Sequence, residues 1–339
     1  MWISLNSDAD PAVVQNHLQE MGLWTSVMRG HSGVGLTVAP HSRAVRVESI
    51  AAVEGVADVC VAKSPTPLVD GQKGRPMEVA GRPLGGAAPV LVAGPCSVES
   101  EAQIHLAAAM VAGAGGTFLR GGAFKPRTSP YAFCGTGNEG LSWLRSAATE
   151  HGLGVVSEVL GESDIDAVAA VADVLQIGSR NMQNFALLRA VGQVQQPVLL
   201  KRGMGATVSE WLQAGEHLLA AGAGPVMFCE RGVRGFDPST RNILDLGAVA
   251  LLAHVHKQIV IVDPSHGTGR RDLVGPLSRA ALAAGAAGLL LEAHPSPAEA
   301  MSDGPQALHS DELIAIARSV GLCKSAGATE ERATGQREV

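Results

Sequence analysis

From residue 89 onward the chain repeats one unit eight times: a short, almost unbroken apolar run, then a stretch with helical periodicity. The runs are Val90–Ala93, Thr117–Arg120, Val155–Glu158, Val174–Ile177, Val198–Lys201, Val226–Cys229, Ile259–Val262 and Leu289–Glu292. Helical patterns follow at 99–114, 138–151, 162–172, 184–194, 207–221, 240–256, 271–284 and 311–320, several ending at a glycine suited to a left-handed cap (Gly152, Gly222, Gly285, Gly321). Continuous apolar character marks parallel strands covered on both faces. Eight such units over 89–322 predict a closed (β/α)8 TIM barrel. A doubly wound open sheet is the alternative, but the regularity favours closure, and no dinucleotide fingerprint follows the first strand.

Ahead of the barrel, residues 1–65 read as β-α-β-β-α-β, the split ferredoxin-like pattern of a small α+β domain. The strands are expected at Trp2–Leu5, Leu23–Arg29, Val34–Val38 and Val56–Ala62, the helices at Pro11–Met21 and Ser42–Val53. Residues 66–88 are rich in Pro and Gly and read as a linker with a short hairpin near Met77–Arg82. Residues 323–339 are polar and Gly/Ala-rich, and are expected to be a disordered tail.

Composition narrows the function. The chain has 339 residues with 26 Lys and Arg against 32 Asp and Glu, a net charge of −6 that argues against nucleic acid as a partner. No apolar run approaches the roughly 18 residues that cross a bilayer, so no membrane is implied. Met1 leads into a strand-like stretch with no basic and apolar leader. The five cysteines are odd in number and never form C-x-x-C, which fits reduced thiols and a cytoplasmic location.

Chemistry in a TIM barrel sits where strands run into the loops that follow them. Here the eight ends carry Cys96, Arg120, Glu158, Ser179 with Arg180, Lys201, Arg231, His266 and Glu292, and the loop after the second strand adds Lys125 and Arg127. Two groups emerge. Arg120, Lys125, Arg127, Arg180, Lys201 and Arg231 form a cationic set in an acidic protein, and guanidinium forks with Lys point charges suit a phosphorylated, multiply anionic substrate. Cys96, His266 and Glu292 come from strands one, seven and eight, which are neighbours in a closed barrel, with Asp303 a candidate fourth ligand. Thiolate, imidazole and carboxylates together favour Mn, Fe, Co or Zn over Mg or Ca. A buried structural Cys and a loop-bonded His are the plainer readings of those two residues taken singly.

These segments together resemble 3-deoxy-D-arabino-heptulosonate 7-phosphate (DAHP) synthase of the short bacterial subtype with an added N-terminal domain. The resemblance covers about 88–320 and rests on Gly94-Pro95-Cys96-Ser97-Val98-Glu99, Arg120 through Tyr131, Ile177 through Phe185, Leu199 through Gly203, Cys229 through Arg234, Thr240 through Leu246, Val262 through Leu273 and Glu292 through Gly304. It implies metal-dependent, aldol-type condensation of phosphoenolpyruvate with erythrose 4-phosphate, with release of phosphate, at the start of the shikimate pathway. By the same resemblance the divalent metal is held by Cys96, His266, Glu292 and Asp303. Phosphoenolpyruvate is held by Arg120, Lys125, Arg180, Lys201 and Arg231 beside Ser179, with Glu158 nearby. The Lys125-Pro126-Arg127-Thr128-Ser129 loop receives the sugar phosphate, and Asp303 lies near its hydroxyls. Catalytic roles fall to Lys125 as proton donor, Glu158 as orienter of water, and His266. The subtype also implies a homotetramer whose front domain binds an aromatic amino acid, tyrosine or phenylalanine, as a feedback effector.

Three other readings compete. The sister 3-deoxy-D-manno-octulosonate 8-phosphate synthase uses arabinose 5-phosphate, but its sugar loop typically reads Lys-Ala-Asn-Arg-Ser. A secondary-metabolism paralogue would accept another sugar phosphate, and a regulatory protein would bind without turnover.

Overall fold

The computed structural model describes all residues except 31–32, 40–41, 62–63, 87, 126–130, 132 and 323–339. The expected tail and the sugar-loop residues Pro126, Arg127 and Thr128 therefore lie outside the described residues. The chain divides into two compact units, Met1–Pro67 and Leu68–Val339.

In the first unit, β1 (Trp2–Leu5), β2 (Thr25–Gly30), β3 (Gly33–Val38) and β4 (Val56–Cys60) form an antiparallel sheet in the order β2-β3-β1-β4. Period-two alternation sends Ile3 and Leu36 to one face, where they pack with Val14, Leu18 and Ile50 from the helices Pro11–Glu20 and Val47–Ala51. Asp10 caps the first helix by accepting the Ala12 N–H, and Pro11 starts it. The second helix is shorter than its periodicity predicts. Ser42 and Arg43 are pinned to the 22–24 backbone, with the Trp24 N–H donating to Ser42 Oγ at 2.8 Å and the Arg43 N–H to the Gly22 carbonyl at 2.9 Å, so the helix starts only after Arg46.

The second unit begins with a helix that was not expected in the stretch read as a linker, followed by the hairpin that was. The helix Pro67–Gly71 donates the N–H groups of Leu68 and Val69 to the Glu216 carboxylate, at 3.0 and 2.9 Å. The hairpin of β5 (Met77–Val79) and β6 (Arg82–Leu84) buries Val79 and Leu84 against the barrel interior. Proline and glycine here shape a floor for the barrel, so residues 66–88 are structural, not a spacer.

The barrel strands are β7 (Val90–Gly94), β8 (Phe118–Arg120), β9 (Gly154–Val159), β10 (Val174–Ile177), β11 (Val198–Lys201), β12 (Val226–Glu230), β13 (Val260–Val262) and β14 (Gly288–Glu292). All pair in parallel and β14 closes on β7. The eight expected strands are the eight observed ones. Along them, Val92, Phe118, Val156, Val174, Leu199, Met227, Ile261 and Leu290 fill the inside, while the alternate residues Leu91, Leu119, Val155, Leu175, Leu200, Phe228, Val262 and Leu291 pack outward against the helices.

Two helical expectations change near the site. The stretch 240–256 is helical only from Leu246, because the N–H groups of Arg241 and Asn242 donate to the carbonyls of Thr268 and Gly267, at 2.8 and 2.9 Å. After β13 a short helix, Pro264–Thr268, opens on Asp263 as its cap.

Candidate active site

In seven of the eight strands the inside positions continue past the apolar layer, and two residues further on they become polar; in β7, Val92 leads to Gly94. Phe118 leads to Arg120, Val156 to Glu158, Val174 to Gln176, Leu199 to Lys201, Cys229 to Arg231, Ile261 to Asp263 and Leu290 to Glu292. Parity alone thus delivers a charged layer to the C-terminal rim. One cavity there is lined by Cys96, Arg120, Lys125, Glu158, Ser179, Arg180, Lys201, Arg231, His266 and Asp303, with Gln176, Met204 and Arg241. Every site residue expected from the sequence and described in the structure meets at this cavity or, for Glu292, directly beneath it. The next residue along each strand faces the other way. Arg202 instead pairs with Glu230 and Asp245, both at 2.9 Å, and sits over the Trp211 ring.

The ligating atoms of Cys96, His266, Glu292 and Asp303 all lie within 4.8 Å of one another. With metal bonds of about 2.0–2.3 Å, donors so grouped can share one ion after small inward shifts. The histidine tautomer fits as well. His266 Nδ1 lies 2.7 Å from the buried Asp263 carboxylate, which can only accept, so Nδ1 carries the proton. Nε2 is left facing Glu292 at 3.2 Å and Asp303 at 3.9 Å, where it can give its lone pair to an ion held among them. A carboxylate behind a ligating imidazole is the usual means of fixing its orientation.

The electrostatics are tightly coupled. Burial works against the Asp263 carboxylate, but His266 and Lys201, whose Nζ donates at 2.6 Å, hold it well below the usual carboxylate range. Burial likewise pulls His266 down, and the Asp263 and Glu292 carboxylates more than offset this, leaving it raised. Asp303 is lowered to about 2: burial opposes the shift, and His266, Cys96 and Arg241 drive it. Glu292, fully buried, accepts from Arg120 Nη1 at 2.9 Å and from Gln306 Nε2. Cys229 lies one layer lower. Burial pushes its thiol up to about 12, so it serves the apolar interior.

The cations divide by partner. Arg120 and Lys201 are neutralised by Glu292 and Asp263. Lys125, Arg180 and Arg231 have no carboxylate partner among the described residues, although Lys125 and Arg231 are 7% and 5% exposed. Burial lowers the pKa of Arg231, the mark of a guanidinium that lacks an anion. Two glycines make room for this set. A Cβ on Gly122 would sit 2.3 Å from Lys125 Nζ, and one on Gly178 would sit 2.0 Å from Glu158 Oε1.

Sequence reasoning overlooked several contributors. Asp263 was visible at a strand end, but its role depends on the short helix that follows. Arg241 was expected inside a helix; it donates to Asp303 Oδ1 and Gln306 Oε1, both at 3.2 Å. Ser302, whose Oγ lies 3.2 Å from Cys96 Sγ, and Gln306 carried no signal beyond lying in the Asp303 loop.

Comparison with known proteins agrees with this geometry. The chain is 50% identical over 218 residues to the Thermotoga maritima protein named phospho-2-dehydro-3-deoxyheptonate aldolase, a stretch that spans 64% of this chain and 64% of that relative. It is 33% identical over 236 residues to a protein of Acidithiobacillus ferrooxidans named 2-dehydro-3-deoxyphosphooctonate aldolase, covering 64% of this chain and 83% of the relative. The crystal structure of the Thermotoga maritima DAHP synthase superposes with a TM-score of 0.74 at 37% identity, over 94% of this chain and 96% of that one. A profile of the DAHP synthetase I family matches residues 78–326. That match takes in well over half the chain, with all four clustered donors and every cation of the cavity, and the chain belongs to the DAHP synthetase I family.

Proposed function

We propose that this protein condenses phosphoenolpyruvate with D-erythrose 4-phosphate and water, giving 3-deoxy-D-arabino-heptulosonate 7-phosphate and inorganic phosphate. The observation that carries this reading is the pairing, across one cavity, of a four-donor cluster with three cations that no carboxylate neutralises among the described residues. Arg180, Arg231 and Lys125 hold the phosphate and carboxylate of phosphoenolpyruvate, with Arg120 and Lys201 contributing donors left over from their ion pairs. Cys96, His266, Glu292 and Asp303 hold a divalent ion, and Mn, Fe, Co or Zn fits this mixture of soft and hard donors. When bound, that ion supplies Lewis-acid polarisation of the sugar aldehyde.

The enol C3 of phosphoenolpyruvate attacks the aldehyde carbon, and Lys125 Nζ, 3.5 Å from Cys96 Sγ, donates the proton that the new alkoxide needs. Positive charge left at C2 is quenched by water that Glu158 orients, the proton this water sheds replacing the one Lys125 gave; the resulting phosphohemiketal collapses to the ketone, its hydroxyl proton leaving with the expelled phosphate. Ser179 and Asp303 position substrate hydroxyls and phosphate. The 126–128 segment completes the sugar-phosphate site through Pro126, Arg127 and Thr128. A reducing, cytoplasmic setting suits a site that depends on the free thiol of Cys96.

The test is a sugar-phosphate panel. The higher identity to the heptonate aldolase than to the octonate aldolase favours erythrose 4-phosphate, which we expect to exceed arabinose 5-phosphate in kcat/KM by at least about tenfold, some 1.4 kcal/mol of discrimination. Equal values for the two sugars would overturn the assignment.

We further infer that the first unit regulates and assembles. Its ionisable residues form no metal-competent cluster among the described residues. One face of its sheet is packed by helices and the other carries the Trp2 ring across Gly35. In a homotetramer such faces can pair and enclose an aromatic amino acid. Titrating tyrosine, phenylalanine and tryptophan against the full-length enzyme should reveal inhibition by tyrosine or phenylalanine; no inhibition at saturation would reduce the unit to a structural role. No helix among the described residues is long and apolar enough to cross a membrane.

A further inference from the structure

The loop that carries Asp303 reaches the donor cluster by an unusual path. Asp303 lies in the left-handed region, at φ 55° and ψ 24°, a conformation uncommon outside glycine and most readily taken there by Asn and Asp. The loop makes three contacts to the cluster. Ser302 Oγ lies 3.2 Å from Cys96 Sγ, Asp303 presents its carboxylate, and Gln306 Nε2 donates to Glu292.

What holds the loop comes from two other places in the barrel. Glu99, three residues beyond Cys96 at the end of β7, accepts the Met301 N–H on Oε1 at 2.9 Å. Its other oxygen, Oε2, lies 3.3 Å from Nε2 of His294, which follows β14 and is 4% exposed. The tautomer of His294 follows from its far side. Its Nδ1 accepts the Ser296 N–H at 3.0 Å, so Nε2 carries the proton and donates to Glu99. Every donor in this chain of hydrogen bonds faces an acceptor, from Ser296 through His294 and Glu99 to Met301. Neither Glu99 nor His294 lines the cavity.

We propose that Glu99 and His294 form a clamp that sets the position of the 301–303 loop, and so fixes where Asp303 meets the metal and where Ser302 meets Cys96. The inference rests on the metal reading above. Glu99 is in these terms a positioning residue: it touches neither substrate nor ion and acts through the backbone of Met301.

The test uses the full-length, metal-stripped protein titrated with Co2+ alone. It follows the thiolate-to-cobalt absorption that reports Cys96 and the ligand-field bands that report the remaining donors. Glu99→Ala should weaken Co2+ binding by about tenfold to a hundredfold, the usual cost of losing a supporting partner behind a metal ligand, and should alter the ligand-field bands while the thiolate band persists. Glu99→Gln keeps one acceptor but places an NH2 group against a second donor, so it should fall between Glu99→Ala and the unaltered protein. His294→Gln, which can still donate to Glu99, should bind Co2+ nearly as well as the unaltered protein. Should Glu99→Ala fail to fold, Glu99→Gln carries the same test. Unchanged affinity and unchanged spectra in the folded Glu99 variants would overturn the clamp while leaving the metal reading intact. Failure of the unaltered protein to bind Co2+ would instead overturn the metal reading and the clamp with it.

Discussion

Cys96→Ala or His266→Ala should lower kcat by about three orders of magnitude, the loss expected when several kcal/mol of Lewis-acid stabilisation disappears. Each change removes one of four donors that lie within 4.8 Å of one another, and neither removes a large core side chain. The melting temperature should therefore move far less than the rate. On the proposed assignment both residues act through one ion, so the double variant should be scarcely worse than either single one. Initial rates, elemental analysis and thermal melts on the three proteins make the comparison. Full activity after exhaustive chelation, with no residual metal, would reject the dependence.

Asp263→Asn should lower kcat about as strongly as losing a ligand, though Asp263 is not one. Its Oδ2 takes the His266 Nδ1 proton at 2.7 Å and the Lys201 ammonium at 2.6 Å, while Oδ1 caps the following helix by accepting the His266 N–H at 2.9 Å. Asparagine can keep the cap, but its NH2 group then faces two donors. His266 escapes the conflict by moving its proton to Nε2, the lone pair that the ion requires, and Lys201 loses its counter-charge. Metal affinity should fall about tenfold to a hundredfold through the misplaced tautomer. Stability should fall by less than the roughly 3–5 kcal/mol of a broken buried ion pair, because Lys201 borders the cavity and can recruit solvent. A variant with the original metal affinity and rate would show that the imidazole needs no carboxylate behind it.

The barrel was legible because its inner and outer residues are both apolar, so each strand appears as an unbroken run whose length and spacing survive without any tertiary information. The site was legible for a related reason. Alternation carries Leu199 to Lys201 and Leu290 to Glu292, so the charged residue that ends four of the runs (Arg120, Glu158, Lys201 and Glu292) already lies on the inner face. What escaped was whatever depended on loop geometry. Asp263 and His266 become partners only because a five-residue helix, Pro264–Thr268, brings them one turn apart. Arg241 was hidden by a helical periodicity that the chain abandons to pair its backbone with Thr268 and Gly267. Residues 66–88 misled in the opposite direction, because Pro and Gly signal turns without saying whether the turns are packed.

The β5–β6 hairpin has a consequence for anyone wishing to separate the two units. With Val79 and Leu84 seated among Phe118, Met227 and Ile261, it stoppers the end of the barrel opposite the rim. A cut placed at Pro89, where the strand repeat starts, would pull that stopper and admit water to the apolar layer of Phe118, Met227 and Ile261. A cut at the boundary near Pro67 keeps the vessel corked, and any transplantation of this barrel onto another partner has to carry the hairpin along.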